Sequence, residues 1–281
     1  MKKYTLFFLA MLLMNVAFSG GPWSLGKGGL YFQAGGSTIN YNSIFNKNGE
    51  VVPLQIYDKV SDNTFQLYSE IGLSKKWTLK LNVPYKYIIN SISSTNDNIS
   101  GLSNVSATIQ YNIEGKKWPT ALGFAVHAPA QKEKTTRSTL TEYNLAGYDA
   151  FIFNPYFSIG TSKGKWYTFA NIGAGIMTNN YSSYSKVDAE FGIKVLKYFW
   201  LAAIIDTRIP IQNNSPDVAS IGTINLLNKL YVNNQQYVSY GAKVAVPFTS
   251  KFGFNAGMNL AALSRNAAAA PAFSASIYYK R

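Results

Sequence analysis

Between residues 65 and 89 apolar and polar positions alternate with a period of two, the spacing of a strand with two unlike faces. Phe65, Leu67, Ile71 and Leu73 hold one face, and Gln66, Tyr68, Glu70 and Gly72 the other. The pattern pauses at Ser74-Lys75-Lys76. It resumes with Trp77, Leu79, Leu81, Val83, Tyr85, Tyr87 and Ile89 against Thr78, Lys80, Asn82, Pro84, Lys86 and Ile88. A hairpin with Leu73 opposite Trp77 places Glu70 across from Lys80, an opposite-charge pair that helps fix register. The same alternation returns at 105–113, 187–195 and 252–260, and weaker strands are expected at 28–41, 119–130, 148–160, 165–178, 199–211, 236–248 and 270–280. Past the first residues no long helix-period segment stands out. The total is about twelve strands, an even number of the kind bacterial outer-membrane barrels use.

The connections alternate in length. Tight turns are expected at 74–76, 114–117, 162–165, 197–198 and 249–251, and longer polar segments at 42–62, 91–101, 132–147, 179–184, 212–235 and 264–269. A transmembrane barrel has this asymmetry because its short turns all lie on one side and its loops on the other. The strand from Trp77 to Ile89 is about 40 Å long at about 3.3 Å per residue, close to 30 Å along the normal at a tilt of about 45°. That matches a bilayer core better than a soluble lipocalin-like barrel or a sandwich. Trp77, Trp118, Trp166, Phe199 and Phe252 fall at the short-turn starts of strands, and Tyr41, Tyr85, Tyr87 and Tyr148 towards the other ends, as two girdles would. The fold class is therefore all-β, a transmembrane antiparallel up-and-down barrel of about twelve strands with both termini periplasmic.

Composition changes the picture in three ways. Charged residues make up 14% of the chain, against about 25% in soluble proteins. There is no cysteine and one histidine, which leaves no thiolate site and no multi-histidine metal centre, so no cofactor is expected. Lys2-Lys3, an apolar run over 4–16 and the small-x-small triplet Ala17-Phe18-Ser19 read as a signal peptide over 1–19, leaving a barrel over 20–281. The formal net charge of +13 is spread singly over turns and strand faces, with no basic stripe, so nucleic acid is not an expected partner. Outer-membrane lipid and lipopolysaccharide are.

The polar faces supply the candidate lumen: Gln66, Glu70, Lys80, Asn82, Lys86, Gln110, Asp188, Glu190, Lys194, Asp206, Arg208 and Lys243. Mixed charge suggests residues that pair with one another rather than a single-sign filter. Register decides whether Asp188 and Glu190 repel or pair with Lys186, Lys194 and Arg208. Pro84 cannot donate to a ladder and marks a possible wall kink; the prolines at 129, 155, 210 and 247 lie in other strands. Residues 20–28 are short enough to tuck inside as a plug, and 226–231 are apolar enough to fold over the mouth.

Glu70-Ile71-Gly72-Leu73, Lys76-Trp77-Thr78-Leu79 and Val83-Pro84-Tyr85 resemble the core motif of the outer-membrane proteins grouped with the meta-pathway of phenol degradation. Gly29-Leu30-Tyr31, Gly101-Leu102-Ser103-Asn104 with Tyr111, and Ala270-Pro271-Ala272-Phe273 with Tyr278-Tyr279 are similar to its other landmarks. The resemblance covers most of the chain after the signal. It departs from the family at Asn104, where an aspartate is usual; separately, Lys280-Arg281 follow the closing aromatic on which bacterial barrels usually end. It implies an outer-membrane barrel that passes hydrophobic or aromatic compounds.

The function expected is passive uptake of small apolar solutes and not catalysis. One alternative is a structural or adhesive barrel whose long loops bind a partner. Another is a lipid hydrolase, which needs a histidine base. His127 is the single histidine, and no nucleophile motif stands beside it.

Overall fold

The structure is a computed structural model that describes residues 20–93, 95–113, 117–137, 140–196, 198–212 and 230–281. The signal-peptide expectation over 1–19 lies outside the described residues, as does the 226–229 part of the expected lid.

The wall runs through β1 (Leu30–Tyr41), then β2 (Ser43–Phe45) and β3 (Val51–Pro53) in the first loop, then β4 (Lys59–Gly72) and β5 (Trp77–Ile92). It continues with β6 (Thr95–Leu102), β7 (Ser106–Ile113), β8 (Thr120–His127), the β9 (Lys132–Arg137) and β10 (Leu140–Leu145) hairpin, and β11 (Ile152–Lys163). Then follow β12 (Trp166–Met177), β13 (Tyr184–Leu196), β14 (Phe199–Pro210), β15 (Gln236–Pro247), β16 (Phe252–Arg265), β17 (Ala267–Ala268) and β18 (Ala272–Lys280). Neighbours pair antiparallel, β18 returns to β1, and β4 pairs with both β1 and β5, so the sheet closes. β6 and β7 are two halves of one wall position, which makes a barrel of 12 strands. Among the described residues every wall strand but β6, which pairs with β5 alone, is bonded on both sides, as a lipid-exposed backbone requires.

Alternation sorts the two faces. Phe65, Leu81, Val83, Leu122, Phe124, Ile172, Phe191, Ile205 and Ile277 are exposed on the outside, and Glu70, Thr78, Lys80, Gln110, Ser158 and Glu190 are buried inside. So wide a belt of exposed apolar side chains is what a hydrocarbon layer covers. The first hairpin has Glu70 opposite Lys80, and the Leu73 N–H donates to the Trp77 carbonyl at 2.9 Å. At the short-turn end Trp77 meets Tyr111, Trp166 meets Phe191 and Phe252 meets Tyr279, with centroids 4.9, 6.4 and 4.9 Å apart. Both Leu30 and Arg281 lie at that same end.

Two expectations need correcting. Residues 91–101 are not a loop, because β5 runs to Ile92 and β6 starts at Thr95, so the hairpin projects past the belt. Outside lipid both faces meet water or loops, and alternation is no longer enforced. Tyr41 and Tyr148 do not belong to an outer girdle: they are 3% and 6% exposed and pack inside, while Tyr85 and Tyr87 do face outward.

Candidate functional site

The chain's own segment before β1 enters the interior. Before Gly28, whose N–H donates to the Gly72 carbonyl at the barrel rim, residues 20–23 lie inside the lumen. The Gly20 N–H donates to Glu70 Oε1 at 3.1 Å, and Asn171 Nδ2 donates to the Gly20 carbonyl at 3.2 Å. Gln110 Nε2 donates to the Gly21 carbonyl at 3.4 Å, and Asn112 Nδ2 donates to that of Pro22. Trp23 stands edge-on to Tyr167 and Phe169 at 6.3 and 5.7 Å, beside buried Trp200. The anchors come from β4, β7 and β12, so this plug crosses the lumen. Its polar backbone is satisfied by side chains where no sheet reaches it. Nothing in a period-two pattern marks Asn112 or Asn171 as partners of a backbone; polarity at inward positions is all the sequence shows.

The other candidate lumen residues pair locally. Gln66 donates to Asn82 at 2.5 Å. Glu70 also accepts from the Tyr68 hydroxyl at 2.6 Å, with Lys80 facing it in register. Lys86 reaches both oxygens of Asp62 at 2.8 and 2.7 Å. Asp188 pairs with Lys186 at 3.1 Å and stands opposite Asp206. Glu190 pairs with Lys243 at 2.6 Å and accepts from Tyr167. Lys194 lies over the Trp200 ring at 5.9 Å. Among the described residues Arg208 pairs with no carboxylate; it stacks between the Tyr184 and Tyr148 rings at 3.9 and 4.6 Å. The interior thus holds ion pairs at Lys86–Asp62, Lys186–Asp188 and Lys243–Glu190, while Lys194 and Arg208 rest on aromatic rings.

Beside the plug a cavity of about 290 Å³ remains, lined by Gln33, Gln66, Lys243, Asn255, Ser274 and Ser276 among others. On the lipid side of the same wall lies an apolar groove of about 480 Å³, rimmed by Phe65, Tyr85, Tyr87 and Phe273. The two share Gly36, Ser37, Ser274 and Ala275. Where β1 meets β18 the wall is therefore backbone and small side chains.

At Pro84 the wall bulges. Asn82 pairs with Ser106 and Tyr85 with Leu102, so two residues of β5 face three of the β6–β7 junction. The Pro84 carbonyl accepts from Ser103 N–H at 2.9 Å. The missing donor of the proline points to that same side, where the extra residue removes the need for it. On the β4 side the ladder runs past Pro84 unbroken. Asn104 pins the bulge: its amide donates to the Ala128 and Tyr148 carbonyls, both at 2.8 Å, and accepts from the Tyr148 N–H at 2.8 Å. An aspartate there could accept but not donate to either carbonyl, so the amide is what this junction uses.

The long-loop end is covered as well. Leu230 joins a buried cluster with Tyr41, Ile44, Val60, Ile88 and Ile99. Tyr231 donates to Asp62 at 3.1 Å, lies under Lys86 at 5.1 Å and meets Tyr148 edge-on at 5.5 Å. Burial, and then the Asp62 carboxylate, hold the Tyr231 phenol well above its ordinary value, and burial pushes Tyr148 up to about 12 against the pull of Arg208. Both hydroxyls stay protonated donors near neutral pH. His127 lines a polar pocket with Asn154, Lys186 and Asp188, and no Ser, Thr or Cys is among its described lining residues.

No protein-family model and no curated protein matches the chain. Solved structures do. An outer-membrane channel from Pseudomonas putida F1 is 13% identical with a TM-score of 0.67, covering 94% of this chain and 100% of that one. The NanC porin is 9% identical at a TM-score of 0.53, covering 90% and 100%. The β domain of the Bordetella autotransporter BrkA is 11% identical, also at 0.53, covering 91% and 100%. Channels, porins and autotransporter domains share this shape, so shape alone does not select among their activities. The fold is that of the outer-membrane β-barrels.

Proposed function

We propose that this chain is an outer-membrane channel for small apolar or aromatic solutes, which leave the lumen sideways into the membrane. The observation that carries this reading is the thin β1–β18 wall, with a polar-lined cavity of about 290 Å³ inside and an aromatic-rimmed groove of about 480 Å³ outside. A solute that reaches the cavity past a plug and a covered mouth has a short path to an apolar surface there. A wide aqueous pore has no need of such a groove. The resemblance to the phenol-degradation group supports the same solute class, and the Pro84 bulge offers a second place at which the wall could part.

The test is liposome swelling with small sugars, followed by uptake of a radiolabelled monoaromatic compound into the same vesicles. Slow swelling with rapid aromatic uptake is the expected result. Gly36→Leu fills the outer groove and is expected to slow aromatic uptake several-fold, whereas Pro84→Ala slows it only if the bulge is the exit. Rapid sugar swelling together with aromatic uptake indifferent to both substitutions overturns the proposal.

A further inference from the structure

We infer that cleavage of the Ser19–Gly20 bond creates a working group of the barrel: the new α-ammonium of Gly20 joins Lys80 as a second cation beside Glu70 inside the lumen. The inference rests on the reading of the chain as an exported barrel. Two independent observations meet at one atom. In the sequence, Ala17-Phe18-Ser19 ends a signal-peptide pattern directly before Gly20. In the structure, the nitrogen of that same residue lies 3.1 Å from Glu70 Oε1.

Hydrolysis adds one water across the bond. Ser19 leaves as a carboxylate, and the Gly20 nitrogen takes up protons to become –NH3+. An amide N–H offers Glu70 one neutral donor; the ammonium offers three donors and a full charge. Charge-assisted hydrogen bonds are roughly twice as strong as neutral ones, and burial weakens their screening. Glu70 is 3% exposed, the Tyr68 hydroxyl donates to the same Oε1, and Lys80 stands opposite in register, so the ammonium adds to a site already built for the carboxylate. The Gly20 carbonyl is fixed from the other side by Asn171. Cleavage one residue later would delete the donor and leave the plug without this tie, so the position of the cut sets the strength of the stopper.

The full chain is exported in a Gram-negative host, extracted from the outer membrane, and its intact mass measured. The folded barrel is then treated with an amine-acylating reagent at neutral pH, and acylation of the N-terminal peptide is followed by mass spectrometry. The expected mass starts at Gly20, and its amine reacts about tenfold more slowly than in Glu70→Gln. If Glu70→Gln does not fold, the pH profile of acylation in the native protein decides: the amine titrates above its value in the urea-unfolded chain. A chain that keeps residues 1–19 overturns the export reading and this inference with it. A correctly processed barrel whose start is not Gly20, whose amine reacts equally in both proteins, or whose amine titrates as in the unfolded chain, overturns this inference alone.

Discussion

Trp23→Ala tests how firmly the interior segment is seated. Trp23 is half-buried, with Tyr167 and Phe169 edge-on and Trp200 beside it. Truncating a fully buried tryptophan costs about 3–5 kcal/mol, so a half-buried one costs roughly 2 kcal/mol. The opposing terms are close. Ordering the five residues from Gly20 to Ser24 costs about 1–2 kcal/mol each. The four side-chain hydrogen bonds to residues 20–22 return about 0.5–1.5 kcal/mol each. The seated state is therefore shallow, and a loss of about 2 kcal/mol moves its population about 30-fold. In planar bilayers the variant is expected to spend correspondingly more time at a high-conductance level than the parent. Trp166→Ala, on the lipid-facing girdle, serves as the control and leaves the conductance unchanged. An identical open fraction in Trp23→Ala and the parent would refute the claim that this ring holds the plug.

Two further substitutions probe the wall and the cavity. Asn104→Ala removes three hydrogen bonds and orphans the groups they satisfied, so the barrel is expected to lose about 2–4 kcal/mol, read as a lower urea midpoint for unfolding from detergent; Asn104→Asp is expected to recover only part of it. Lys243→Gln leaves Glu190 without its cation, and the reversal potential in a salt gradient is expected to shift towards cation preference; no shift would mean that ions do not pass this cavity.

Much of the barrel was legible because lipid enforces the pattern. Wherever a strand crosses the belt, every second residue must be apolar, and the Glu70–Lys80 register follows from one hairpin. Legibility ends where that constraint ends. Asn90, Ser91 and Ile92 extend β5 beyond the belt, and their mixed polarity reads as loop. The interior was legible as a polar face but not as a set of partners. Glu190 meets Lys243, two wall positions away on β15, and Arg208 prefers two tyrosine rings to a carboxylate. Those choices depend on how the wall curves, which no single strand encodes. Asn112 and the Nε2 of Gln110 carry the least signal, since they donate to main-chain carbonyls, which no side-chain pattern encodes.

The pairing of β1 with β18 has a consequence for assembly. Leu30 and Arg281 exchange backbone hydrogen bonds, so the cylinder is finished by joining the two ends of the folded chain. Among the described wall strands no backbone pairing is more distant in sequence, and such contacts form slowly because loop closure is costly before it is rewarded. Until the carboxyl-terminal strand arrives, β1 has a bare edge of the kind that recruits other chains. Small residues at this joint, Gly35 and Gly36 against Ser276 and Ala275, let the last strand dock with little side-chain rearrangement. A chain trimmed by a few residues at its carboxyl end would keep most of its contacts and still fail as a container.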